Sequence, residues 1–138
     1  MKLFVHEVLD KVSKEKSKDK KIEILKQHET WALKDVIRGS MDSTVEWNLP
    51  PGAPPYHKNI APEGASNFIS QNRQLKYFVK GGVGDDMPAY KRENIFIRLL
   101  EAVHPMDAKL IVDMINKVKP KGLTRPIVKE AFPDLLQD

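Results

Sequence analysis

Residues 50–64 decide what this chain cannot be. Pro50, Pro51, Gly52, Pro54, Pro55, Pro62 and Gly64 crowd into that stretch, and five of the chain's ten prolines lie there. Proline removes a backbone donor and clashes with the preceding turn, so no helix runs through such a segment. On either side the apolar residues recur at helical spacing. The chain therefore divides into short helices, a long irregular arm at about 40–65, and more helices. Val45, Trp47, Leu49, Tyr56 and Ile60 make the arm too apolar for a floppy linker, so it is expected to lie packed across the helices. The alternative use of Pro54, Pro55 and Tyr56 is as a polyproline ligand for an aromatic groove.

Before the arm, Leu3, Phe4, Val8, Leu9 and Val12 give one amphipathic helix that fades near residues 13–17. Ser17 is placed to cap a second, which carries Ile22, Ile24 and Leu25 and ends near His28. A third carries Trp31, Leu33, Val36 and Ile37, and Gly39 is the expected stop. After the arm, helical spacing resumes near Asn67 with Phe68, Ile69, Leu75, Phe78 and Val79, and ends at Gly81 and Gly82. The turn at 81–86 lacks the Lys-Ser/Thr of a phosphate loop, and Asp85 and Asp86 would repel an anion; turn and cap chemistry is the expected role.

A helix at about 88–103 follows, burying Ile95, Phe96, Leu99, Leu100 and Val103. The next, from Pro105 to Val118, is apolar on most sides, as befits a central helix. A last short helix spans about 125–132, after which Leu135 and Leu136 return to the core. Only residues 44–47 hint at a strand. The expectation is an all-α fold: a single domain, 1–138, built as a compact bundle of about six to seven short helices with the Pro-rich irregular arm.

Charge points to the chain's two ends. The formal net charge is +4, too small by itself to mark a nucleic-acid binder. Residues 1–39 carry ten basic and seven acidic side chains, residues 40–90 four and five, and residues 91–138 nine and seven. Lys117, Lys119, Lys121 and Arg125 stand within nine positions with no acid among them. There Pro120 and Gly122 break one helix and Thr124 can cap the next, so the open N–H groups of a helix start form a phosphate seat. Gly122 permits close backbone approach, and Lys119, Lys121 and Arg125 supply charge. The competing reading is a solvated helix end and an ordinary turn. The run Lys14, Lys16, Lys18, Lys20 and Lys21, broken by Glu15 and Asp19, reads as solvated surface.

Catalysis finds little support. His6, His28, His57 and His104 are scattered without nucleophile or metal-ligand spacing. Glu93 and Glu101 fit a solvated helix face better than an acid/base pair. Trp31, Trp47, Tyr56 and Tyr77 lie near basic residues and could stack on bases, but core packing is the preferred role. With no cysteine, neither disulfides nor thiolate metal sites arise. The early charges His6, Glu7 and Asp10 argue against a secretory leader, and no apolar run reaches a membrane span. A cytoplasmic non-enzyme without cofactor or metal is expected.

The order of elements, with short helices, an aromatic and Pro-rich arm, then a basic turn and a helix closed by Phe132 and Pro133, resembles the N-terminal DNA-binding domain of ATP-dependent DNA ligases. The likeness is to the small form found in T-even-type bacteriophages. It is sharpest over residues 98–136, especially Gly122, Leu123, Thr124, Ile127, Val128, Lys129, Phe132, Pro133, Asp134 and Leu135, and looser around Trp47, Pro50, Pro51 and Gly52. That resemblance implies a helical domain that grips duplex or nicked DNA from the minor-groove side through its backbone. It implicates Lys121, Gly122, Leu123, Thr124 and Arg125, with Lys119 beside them. The ligases continue into a nucleotidyltransferase domain with a Lys-x-Asp-Gly motif, which these residues lack, so ligation by this chain alone is not expected. The chain also resembles small uncharacterised proteins of T-even-like phages of cyanobacteria, which implies the host cell cytoplasm. Double-stranded DNA is the expected partner, with a replication, repair or host protein as a further one. The alternative is a phage-encoded interaction or structural module acting through the Pro-rich arm.

Overall fold

A computed structural model describes residues 3–59, 68 and 72–138 of the chain. Ile60, Pro62, Gly64, Asn67 and Ile69, invoked above for the arm and the helix after it, lie outside the described residues. Those described form α1 (Val5–Lys14), α2 (Lys18–Gln27), α3 (Trp31–Met41), a 3₁₀ helix (Asn72–Tyr77), α4 (Ala89–Ala102), α5 (Pro105–Ile115) and α6 (Arg125–Ala131). The fold is all-helical. The hint of a strand at 44–47 reduces to one antiparallel bridge between Trp47 and Val79.

Local chemistry sets most boundaries. Ser17, Thr30 and Thr124 cap α2, α3 and α6, their hydroxyls accepting from the N–H groups of Lys20, Leu33 and Ile127. Each satisfies a donor that the first turn would otherwise leave open. Glu7 closes the start of α1 by accepting from the Phe4 N–H at 2.8 Å. The face of α1 made by Val5, Val8, Leu9 and Val12 is buried.

Helix α5 is central. It packs on α1, α3 and α4, with Ala108, Ile111 and Met114 fully buried, each larger side chain contributing about 1.5–3 kcal/mol. One contiguous core joins these to Leu33, Val36 and Ile37 of α3, to Phe78 and to Phe96. Phe78 and Phe96 meet edge to face at 5.2 Å, and Phe68 is fully buried.

Three expected boundaries move. The helix expected to end at Gly81 and Gly82 is, where described, a 3₁₀ helix that stops at Tyr77, leaving Phe78 outside it and Val79 in the bridge to Trp47. Gly39 does not stop α3, which continues to Met41. A Cβ at Gly39 would lie 2.5 Å from Trp47 Cζ2 and 2.8 Å from Met114 Sδ, so this glycine admits the indole and the thioether rather than ending a helix. The indole N–H donates to the Gly39 carbonyl at 3.0 Å, pinning the arm to α3. At the third boundary, α5 ends at Ile115, and Val118 stands outside it, 52% exposed.

The arm packs across the helices as expected. The Gly52 N–H donates to Asn116 Oδ1 at 2.7 Å and Asn116 Nδ2 returns a bond to the Gly52 carbonyl at 3.1 Å. His57 N–H donates to Glu101, which commits that carboxylate to holding the arm. Arg92, buried on α4, donates to the carbonyls of Asn48, Gly84 and Met87 and so ties arm, turn and helix together. In the 81–86 turn Asp85 accepts from the Gly81 N–H at 2.7 Å, the capping role expected of it.

Candidate nucleic-acid interface

The basic turn begins where α5 unwinds. Lys117 N–H donates to the Met114 carbonyl and Val118 N–H to that of Asp113, the pattern that closes a helix through a left-handed residue. That residue is usually glycine; here it is Lys117, at φ 60°. A non-glycine side chain costs about 1–2 kcal/mol in that region. The offset is visible, because the Lys117 ammonium donates to the carbonyls of Gly39, Asp42 and Val45 at 2.8, 2.8 and 2.9 Å. Burial pushes the Lys117 pKa down, while Asp42, Asp138 and Glu46 pull it back up. Lys117 is thus a clamp between α5 and the end of α3.

Arg125, at the far side of the turn, is also engaged. One guanidinium nitrogen donates to the Met41 carbonyl at 3.1 Å and the other to Asp138 Oδ1 at 2.5 Å. Leu123 is 1% exposed and belongs to the core. The expected phosphate seat at the start of α6 is largely taken up by the helix itself. Ile127 N–H goes to Thr124 Oγ1, Val128 N–H goes to the Thr124 carbonyl, and Pro126 has no N–H. Of the six positions Lys119, Lys121, Gly122, Leu123, Thr124 and Arg125, the structure therefore withdraws Leu123 and Arg125 from the surface role and gives Thr124 a capping one. Lys119 and Lys121 are exposed.

Gly122 does something that the sequence alone did not disclose. Its φ is +85°, and a Cβ there would lie 2.8 Å from Ser13 Cα. Its carbonyl accepts from the Lys21 ammonium at 2.7 Å. The turn is thereby pressed against the junction of α1 and α2, and α2 packs on α6. Two basic runs about a hundred positions apart become neighbours. Lys14 pairs with Asp10 at 2.9 Å and Lys18 approaches Glu130 at 3.9 Å. Lys11, Lys16, Lys20, Lys119 and Lys121 are exposed and make no ion pair among the described residues. Glu15, an acid inside the first run, accepts the N–H groups of Lys16 and Ser17. The Ser17 bond leads in holding its carboxyl below the usual range, with Lys20 and Lys21 adding to it. A groove of about 770 Å³ between α1 and α5 opens beside Lys119 and Lys121, with Lys11, Lys109, Asp10 and Asp113 also on its walls.

This chain belongs to the DUF6433 family. The match spans residues 8–121, and the family is described as one of unknown function. No curated protein matches the chain. The matched part of this DUF6433 protein includes the first basic run, Lys119 and Lys121.

Elsewhere the aromatic residues divide. Trp47, Tyr56 and Tyr77 pack against the core, whereas Trp31 is 74% exposed, against the expectation of burial. As the first residue of α3 it lies over the surface, with the Lys34 ammonium 4.7 Å from its ring centroid. Nor are all the histidines scattered. The His6 and His104 rings stack at 4.6 Å, and His6 Nδ1 lies 2.8 Å from Asp107 Oδ1. Asp107 is fully buried and its Oδ2 has no hydrogen-bond partner among the described residues. Among the described residues no group of three or more His, Asp or Glu is placed to hold a metal, and no helix is long and apolar enough to cross a membrane.

Proposed function

We propose that this DUF6433 protein is a non-catalytic DNA-binding module, acting in the cytoplasm, that holds duplex or nicked DNA through its sugar-phosphate backbone. The observation that carries this reading is the meeting of the two basic runs at Gly122, which gathers exposed lysines, without ion pairs among the described residues, from both ends of the chain onto neighbouring surface. Lysine is a flexible point charge that suits phosphate without reading bases. The lysine face built around Lys11, Lys119 and Lys121 at the α1 and α5 groove, joined to the first basic run where Lys21 bonds Gly122, replaces the narrower seat expected from the 119–125 turn. If it neutralises about three to five phosphates, log affinity falls with log salt at a slope of about −3 to −4.5.

The test is a titration of intact duplex, nicked duplex and single strand at several salt concentrations, with wild type and Lys119→Glu/Lys121→Glu. The double variant should lose at least about tenfold in duplex affinity and flatten the salt slope by about 2, with helix content unchanged. Retention of wild-type affinity and slope overturns the proposal. A second reading, docking on a replication, repair or host protein, draws on the groove of about 420 Å³ where Leu49, Pro54 and Pro55 of the arm face Tyr90 and Ile97 of α4. Tyr90 is 71% exposed there. Loss of a captured partner on Tyr90→Ala, with DNA binding unaltered, would favour it.

A further inference from the structure

The Asp138 carboxylate sits in a ready-made seat. Its Oδ1 accepts from Arg125 at 2.5 Å and its Oδ2 from the Ser43 N–H at 2.9 Å. The donors come from separate parts of the fold: Arg125 opens α6, and Ser43 lies in the turn that follows α3. Each is also held by a contact other than Asp138. The other guanidinium nitrogen is anchored on the Met41 carbonyl, while Ser43 follows Asp42, whose carboxylate accepts from the Thr44 and Gln137 N–H groups. Asp42 is the acid that could spoil the seat for an anion. It is fully buried, spent on those donors and on Arg38 at 3.4 Å, and Lys117 lies close enough to feel both acids. The Arg125 side chain keeps 40% of its exposure, so the seat opens to solvent.

We propose that Arg125 and the Ser43 N–H form an anion-binding site for a phosphate or carboxylate group, and that Asp138 occupies it as an intramolecular competitor. A guanidinium and a main-chain N–H, one on each of two oxygens, match a phosphate as well as a carboxylate. A tethered competitor acts at an effective concentration on the order of millimolar, so an external anion enters only when it binds more tightly or when Asp138 is removed. The Arg125 bond, with Ser43 adding to it, also holds the Asp138 carboxyl well below the usual carboxylate range, so the competitor stays charged at neutral pH. The site is a property of the fold whatever the lysine face binds; only its coupling to DNA rests on the function proposed above.

The test compares wild type, Asp138→Asn and Asp138→Asn/Arg125→Gln in thermal melts with inorganic phosphate against chloride at matched ionic strength. Near-uniform far-UV spectra would show that all three fold. Phosphate should raise the Tm of Asp138→Asn while leaving the double variant and wild type nearly unmoved. Equal response of all three to phosphate overturns the proposal, as does no response in Asp138→Asn. Duplex titrations distinguish the two ideas. If both hold, Asp138→Asn tightens DNA binding about three- to tenfold and steepens the salt slope by about 1. A phosphate response without any DNA binding leaves the seat standing and removes the DNA reading. Wild-type DNA binding with no phosphate response does the reverse.

Discussion

Lys117 and Lys121 are four positions apart and chemically identical, yet the fold uses them in opposite ways. Lys117 turns inward onto three carbonyls, while Lys121 stands in solvent at the rim of the α1 and α5 groove. Arg125 follows Lys117, and Lys119 follows Lys121. The difference arises from what lies nearby. Helix α3 ends with carbonyls that need donors, and a lysine held in the left-handed conformation delivers its ammonium to them; among the described residues no comparable acceptors engage Lys119 or Lys121. A count of basic residues along a chain therefore overstates the charge available to a ligand.

Three measurements can break or sharpen that contrast. The largest effect belongs to Leu123, which shares the turn but points into the core. Leu123→Ala should cost about 2–5 kcal/mol in denaturant unfolding, and a cost below 1 kcal/mol would mean that the turn is not seated as described. Next, Lys117→Met leaves three carbonyls without their charged donor and should cost about 2 kcal/mol, whereas Lys119→Met should stay within about 0.5 kcal/mol. Equal costs would erase the distinction between inward and outward lysines. The smallest effect concerns acid. Asp138 has a folded-state pKa below its ordinary 3.8, so its stabilisation is complete above that value and is lost as pH falls through the lower, folded one. Unfolding midpoints of wild type and Asp138→Asn should differ at neutral pH and converge in strong acid. A gap that persists undiminished there would exclude the ion pair as its source.

Much of the helical order was legible because it depends on near neighbours. Apolar spacing and the Ser17 and Thr124 caps place α1, α2 and α6 to within a residue or two, and the nearly all-apolar pattern of α5 marks it as central. Misreadings came where distant parts meet. Gly39 looks like a helix stop in one dimension, and only Trp47 and Met114 closing over it explain why glycine is needed mid-helix. Val118 extends the apolar period of α5, but the positive φ of Lys117 has no local signature, since lysine rarely adopts it.

The surface was harder still. Arg125 and Asp138 are thirteen positions apart, yet Ser43, which completes their seat, lies 95 positions from Asp138. The joining of the two basic runs depends on Gly122 touching Ser13, a contact implied by no spacing. Basic ends around a neutral middle were the one trace of it. Trp31 illustrates the converse, an aromatic residue that helical periodicity assigns to the core but whose place at the first position of α3 turns it to the outside.

The indole of Trp47 lying in the notch at Gly39 has an optical consequence. The chain carries two tryptophans, one bathed in water and one wedged against a helix, so their emission spectra differ in colour. Peeling the proline-rich segment away would red-shift only the wedged fluorophore, giving the molecule a built-in reporter of whether that strap is fastened.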